Sequence, residues 1–412
     1  MEKHVLIVGG GIAGLWSALE LSRMGIDSVV VEKSPFPGGH VARFSCKATD
    51  RCRRCGACQL EDVWSRVASS PRITRLLNTT VERIDSNRSG FSAVLRSRPA
   101  RILAEKCTDC RVCEGACPEP GALSRSPLDN RLFLDESRCR FFRDGSCEAC
   151  VRVCPEAAVR LDTPAEDLHA EAAAVILATG FKPFDAFEKP RFGYGRVPGV
   201  MTSLELDASL RQGEFSPTGA DGPMRAVAFI QCVGSRDAKL GKNYCSRVCC
   251  GNALRTARLL RNRFPSVAPA MFYMDIQTFD RDFERRLSEA EKEVRLIRSI
   301  PAEVRTGPDG RPLLIYHGLG DERVAESFDL VVLSVGISAA SPGPVAESLK
   351  LASNQDGFLG EDGEGARTNA DGVFVAGTVQ GPRSIEETIS HAIRAAGEAA
   401  SYLGMISRGQ VS

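Results

Sequence analysis

The sequence predicts an α/β protein in which two dinucleotide-binding folds are interrupted by a cysteine-rich insert. Three observations predict it. An apolar run, Val5–Val8, ends in Gly9-Gly10-Gly11-Ile12-Ala13-Gly14. A second apolar run, residues 227–230, opens another fold of the same kind. All 16 cysteines sort into four groups of four, with none left over.

Bulk properties exclude several classes. At 412 residues the chain can bury a large core and holds two or three domains. Its 53 basic and 52 acidic residues leave a net charge of +1, so nothing draws it to nucleic acid or an anionic membrane surface. Only 6% of residues are aromatic, too few for stacking platforms. No secretory leader and no run of about 18 apolar residues are read, so no direct membrane span is expected. A cytoplasmic location follows, peripheral on a membrane complex at most. Thiols stay reduced there, and cysteine points to metal or catalysis rather than staples.

The first element is a buried parallel strand feeding a tight turn. A helix over residues 15–24, stopped by Gly25, comes next. The strand Ser28–Val31 then ends at Glu32. Gly9 permits the turn, Gly11 lets backbone approach a pyrophosphate, and Gly14 allows close helix packing. The pyrophosphate would sit on the helix N-terminus beside Ile12 and Ala13, and Glu32 would accept ribose hydroxyls. Three later features favour FAD over NAD. Pro37-Gly38-Gly39 follows Glu32 closely. Residues 174–180 form a strand ending in Ala178-Thr179-Gly180. Residues 372–377 form another ending at Gly377. Thr378 follows where flavoproteins carry Asp, so phosphate contact is expected from backbone amides of the helix after Pro382. Lys33 and Val81 complete the expected cofactor-binding positions.

Residues 101–161 interrupt this fold. Cys107-x2-Cys110-x2-Cys113-x3-Cys117-Pro118 matches the bacterial ferredoxin run at every spacing. Cys139-x7-Cys147-x2-Cys150-x3-Cys154-Pro155 is a stretched second copy. In such two-cluster domains the fourth cysteine of each run ligates the other cluster. Cys107, Cys110, Cys113 and Cys154 are therefore assigned to one cluster, and Cys139, Cys147, Cys150 and Cys117 to the other. Two zinc sites are the alternative.

Two cysteine groups are less ordinary. Cys46, Cys52, Cys55 and Cys58 lie just past Gly39, where the chain should run close to a flavin. Four thiolates within 13 residues can wrap one cluster; zinc, or Cys55 and Cys58 alone with partners elsewhere, are the alternatives. Cys232, Cys245, Cys249 and Cys250 follow the strand at residues 227–230. A pyridine-nucleotide domain would carry a glycine cradle there, and it is missing. Cys245 and Cys249 would share a face if a helix had begun. Buried structural thiols are the alternative reading.

Those residues carry a resemblance. Phe229-Ile230-Gln231-Cys232-Val233-Gly234-Ser235-Arg236-Asp237, with Tyr244-Cys245-Ser246-Arg247-Val248-Cys249-Cys250, resembles the signature of the heterodisulfide reductase family, in its A-type subunit. Gly193-Tyr194-Gly195, residues 328–336 and residues 375–382 resemble it too. The resemblance implies a two-dinucleotide-binding-domain, thioredoxin-reductase-like flavoprotein with an inserted two-cluster ferredoxin module. It implies a cluster of unusual ligand spacing at the fourth cysteine group, hence four [4Fe–4S] clusters with one FAD. It also implies an oxidoreductase component relaying electrons between clusters and flavin, in some relatives by splitting electron pairs. Partners would be like the B- and C-type subunits of heterodisulfide reductase, or membrane quinone-reactive subunits. The chain resembles the short forms, including those of quinone-interacting membrane-bound oxidoreductases. Family members often carry lysine after the double cysteine, where Arg255 stands here.

The expected organisation is a flavin domain from residues 1–100, 162–221 and 325–412, an insert at 101–161, and a second domain at 222–324. Two other functions are weighed: an NAD(P)H-oxidising flavoprotein feeding its own clusters, and a non-catalytic cluster scaffold.

Overall fold

The strand Val5–Val8 is fully apolar and almost wholly buried because both faces of its sheet are covered. The computed structural model describes residues 4–407, except 88–89, 220–221, 278, 280–282, 341–342 and 361–364. Val5–Val8 is the centre of a five-stranded parallel sheet. Its neighbours are Ala174–Leu177 and then Val373–Val375 on one side, and Ser28–Val31 and then Ile73–Leu76 on the other. The helix Ile12–Arg23 begins directly at the glycine turn, three residues before its expected start. It packs with the long helix Ile385–Ser407 across one sheet face. Among the described residues no helix is long and apolar enough to cross a membrane.

An antiparallel three-stranded sheet covers the other face: Thr79–Asn87, Gly90–Ser97 and Glu166–Ala172. The cysteine-rich insert hangs from it. Ser97 pairs with Glu166 in the ladder, so the chain leaves and re-enters at adjacent points. The insert has its own small core, in which Cys113, Cys139 and Cys150 are buried beside Ile102, Ala122 and Leu134. A bridge between Ile102 and Val159 closes its base.

A second five-stranded parallel sheet forms the other lobe, ordered Val200–Thr202, Leu330–Val335, Ala226–Val233, Ala268–Phe272 and Arg295–Ile297. Its first two strands lie in stretches that the sequence pattern places with the flavin domain. Leu330–Val335 is an apolar run that either sheet could accept; its pairing to Ala226–Val233 places it in the second sheet, and Val200–Thr202 follows by pairing to Leu330–Val335.

Candidate flavin and cluster site

The carboxyl ends of the first sheet open onto a cavity of about 640 Å³, within the range of cofactor sites. Gly9 has φ +109°, and a Cβ there would meet the Ala178 carbonyl oxygen at 2.4 Å. A Cβ on Gly14 would meet the Gly9 carbonyl oxygen at 1.9 Å. Gly11 is the opposite case: no atom stands within 4 Å of a Cβ built there, and the residue faces the cavity. It is the N-cap of Ile12–Arg23, with no side chain capping that helix. The first-turn amides are thus left for an anion. Glu32, 6% exposed, accepts the Gly10 N–H at 2.7 Å and the Ser34 N–H at 2.8 Å. Its remaining lone pairs face the cavity, where a ribose would bring hydroxyls. These residues fit a dinucleotide.

Of the expected cofactor positions, Gly9, Gly11, Ile12, Ala13, Glu32, Lys33, Gly39, Val81, Ala178, Thr179, Gly180 and Thr378 line the cavity. Gly14 and Gly377 do not; they shape it by packing. A Cβ on Gly377, at φ +78°, would meet the Ala13 Cβ at 2.9 Å. The first turn of Ile385–Ser407 also faces the cavity, but Ser384 caps it. The Ser384 hydroxyl accepts the Glu387 N–H at 3.1 Å, and the Glu387 carboxylate accepts the Ser384 N–H at 2.7 Å. One amide expected to meet phosphate is therefore already bound. Lys33, Arg43, Lys47, Arg247, Arg255 and Arg383 line the same space against Glu32, Glu386 and Glu387, so cations outnumber carboxylates around a site for an anionic ligand. Sequence reasoning misses His40, Lys47 and His391. His40 stacks on Phe181 at 4.4 Å and reaches its carbonyl at 3.0 Å, while burial holds its basicity below the usual histidine range.

The cysteines gather as four groups. Burial raises Cys58, and Cys55, Cys52 and Cys46 push the same way. In the insert, burial raises Cys113, with Cys154 as its thiol neighbour. Cys150 is pushed up to about 11 by burial, then by Cys139 and Cys117. A small cavity is lined by Cys107, Cys110, Cys113 and Cys154, without Cys117. Cys154 thus lies with the first run's Cys107, Cys110 and Cys113, and Cys117 lies near Cys139 and Cys150 of the second. In the second lobe, burial raises Cys249, and Cys250, Cys232 and Cys245 add to it. Such thiols stay protonated unless a metal takes the proton's place.

The backbone is bent to serve them. Among the described residues, the non-glycine positive-φ residues include Arg54, Asp109, Arg111, Cys232 and Arg247, all at or beside these cysteines. Arg54 and Arg247 thereby turn their N–H groups onto Cys52 Sγ at 3.4 Å and Cys245 Sγ at 3.2 Å. Ala158 N–H donates to Cys154 Sγ at 3.3 Å. Hydrogen bonds of this kind set the potential of a sulfur-ligated centre. The helix Cys249–Arg263 begins only at Cys249, so Cys245 lies in the loop before it and shares no helix face with it. Among the described residues no three Cys, His, Asp or Glu side chains converge tightly enough for a single ion.

The comparisons with known proteins agree with this geometry. Residues 4–94 match the FAD dependent oxidoreductase family. The iron–sulfur A-type subunit of CoB–CoM heterodisulfide reductase from Methanocaldococcus jannaschii is 33% identical over 425 residues, covering 96% of this chain and 64% of that protein. The chain is a homologue of this heterodisulfide reductase component. A second relative is the A-type subunit of the H2:CoB-CoM heterodisulfide,ferredoxin reductase of Methanothermobacter marburgensis. It is 32% identical over 97% of this chain and 64% of its own length. The chain thus spans under two thirds of these relatives. Among solved structures, T. acidophilum thioredoxin reductase superposes with a TM-score of 0.55 at 14% identity, covering 98% of this chain and all of its own. Lactococcus lactis thioredoxin reductase gives 0.53 at 14% identity, over 98% of this chain and 99% of its own. The fold is that of a thioredoxin-reductase-like flavoprotein.

Proposed function

We propose that the chain is an FAD and iron–sulfur electron-transfer subunit of a heterodisulfide-reductase-type complex. One observation carries the reading. Two different cysteine groups reach the same dinucleotide cavity, through Cys55 from one lobe and Cys249 from the other. FAD and four [4Fe–4S] clusters would supply one- and two-electron redox chemistry there. The chain's own residues bind and orient. The Gly9–Gly14 turn and Glu32 would hold the adenosine half, Thr378 and the helix after Ser384 the far side. The 16 cysteines would hold the clusters in the grouping above. The domain assignment proposed is a flavin domain from 1–100, 162–221 and 325–412, with the second lobe's sheet borrowing Val200–Thr202 and Leu330–Val335 from it. Disulfide or quinone chemistry would lie on partner subunits.

Anaerobic metal and flavin analysis tests this. Four clusters of four irons give about 16 irons per chain with one FAD. Stoichiometric zinc, or iron near half that value, would defeat the four-cluster count. A purified chain without flavin would favour a scaffold instead.

A further inference from the structure

The segment after Phe44 crosses from the flavin lobe to the helix Ser203–Gln212, and its side chains alternate. Ser45 and Lys47 are 2% and 1% exposed, while Cys46 between them is exposed. An extended chain sends successive side chains to opposite sides. The two inward ones end on a single carboxylate. Asp207 Oδ1 accepts the Ser45 N–H at 3.2 Å and its hydroxyl at 2.9 Å. The Lys47 ammonium donates to the same oxygen, to the Ser45 hydroxyl at 2.9 Å and to the Ser45 carbonyl at 3.2 Å. Both charged side chains are 2% exposed. Asp207 Oδ2 accepts from the Asn252 amide at 3.4 Å. Asn252 lies two residues beyond Cys250 on the helix Cys249–Arg263. One turn after Asp207, Arg211 donates to the Phe44 carbonyl at 3.2 Å.

One buried carboxylate therefore ties the residues on both sides of Cys46 to the helix that carries Cys249 and Cys250. A buried ion pair is a poor source of stability, because desolvation cancels much of its attraction; a well-attested use is to fix one arrangement among several. Cys52, Cys55 and Cys58 share one short loop. Cys46 stands apart from them, and where its thiol points depends on where Ser45 and Lys47 are pinned. Groups that hold ligand-bearing segments govern occupancy and properties of a metal site without touching the metal.

We propose that Asp207 is the positioning residue that presents Cys46 to the first cysteine group and sets that group against the Cys249–Cys250 helix across the flavin cavity. This rests on the reading of Cys46, Cys52, Cys55 and Cys58 as a cluster site. The test compares four anaerobically prepared whole chains: wild type, Cys46→Ser, Asp207→Asn, and the double variant Lys47→Met with Asp207→Leu. The double variant removes the tether without leaving a buried lone charge. Iron content and electron paramagnetic resonance are the readouts, with bound FAD as the check on folding. Cys46→Ser should lower iron by roughly one to four per chain and alter one cluster signal. Asp207→Asn and the double variant should reproduce that same change with FAD and the other three signals retained. A flavin-loaded double variant with the wild-type iron content and all signals intact overturns the positioning role alone. If Cys46→Ser itself changes nothing, the first group is not a four-cysteine cluster site, and the positioning role falls with it.

Discussion

His391 Nδ1 accepts the Gly377 N–H at 2.9 Å, so its proton sits on Nε2, which faces the Gly365 carbonyl at 3.2 Å. The pair of bonds ties the Gly377 turn and the Gly365 backbone to the helix Ile385–Ser407. Burial, with Arg383 as the next cause, lowers the His391 pKa from 6.5 to about 4. The unfolded chain therefore takes up a proton that the folded chain refuses. The stability that His391 contributes is complete above pH 6.5 and drains away as pH falls toward 4. The difference corresponds to about 3 kcal/mol at the acid end. His391→Gln, which keeps an acceptor and a donor but does not titrate, should flatten this part of the profile. Denaturant midpoints of both proteins between about pH 7 and pH 4.5 check it; parallel slopes would show that His391 is not the group responsible. Neither His391 nor the Lys47–Asp207 pair is legible in the sequence. A lone histidine in a helix and a lysine in a loop carry no periodicity, and their partners lie 14 and 160 residues away. Glu32 is legible because its role follows from spacing within one βαβ unit.

Elements built from short contiguous runs are legible in the sequence, and elements that depend on distant pairing are not. The strand Val5–Val8, the turn and the strand Ser28–Val31 follow from local pattern alone. The strand Leu330–Val335 is visible as an apolar run and the short Val200–Thr202 is not, and the sheet of neither is legible, since membership is settled by a partner strand from another part of the chain. The ferredoxin-like insert is the clearest unit at this scale. Its four-cysteine spacings are local, its core is its own, and it joins the rest through neighbouring ladder positions at Ser97 and Glu166. It is not wholly free-standing, because the Pro127 carbonyl accepts from Arg211 at 2.9 Å and Phe133 packs on Phe36 at 5.3 Å. Replacing residues 98–165 by a short Gly-containing turn should close a hairpin between strands already paired. The shortened chain should keep its FAD while iron falls to about half, since two of four clusters leave with the insert. Flavin and iron analysis decides this; loss of FAD together with the insert would mean that the contacts at Pro127 and Phe133 are needed to hold the flavin lobe.

At the scale of the whole molecule, two five-stranded parallel sheets underlie the two lobes, and the glycine turn that suits a dinucleotide stands at the end of the first. At the matching turn of the second sheet the strand Ala226–Val233 breaks register between Ile230 and Val233, with Cys232 at φ +57°. Gly234 follows at φ +82°, packed so closely on the Phe184 ring that a Cβ there would lie 1.9 Å from it. The helix that follows this turn starts with Cys249 and Cys250, with Cys249 at the cavity wall. A pyrophosphate requires close backbone approach and unspent N–H groups. Here the strand end carries no run of glycines, and the position is given to thiols. Neither NADH nor NADPH should therefore reduce the flavin of the isolated holoprotein. Anaerobic titration followed by flavin absorbance checks it, with dithionite as the positive control. Rapid stoichiometric bleaching by either nucleotide would mean that the second lobe still accepts a dinucleotide, and that the cysteine group at its strand end does not stand in the nicotinamide's place.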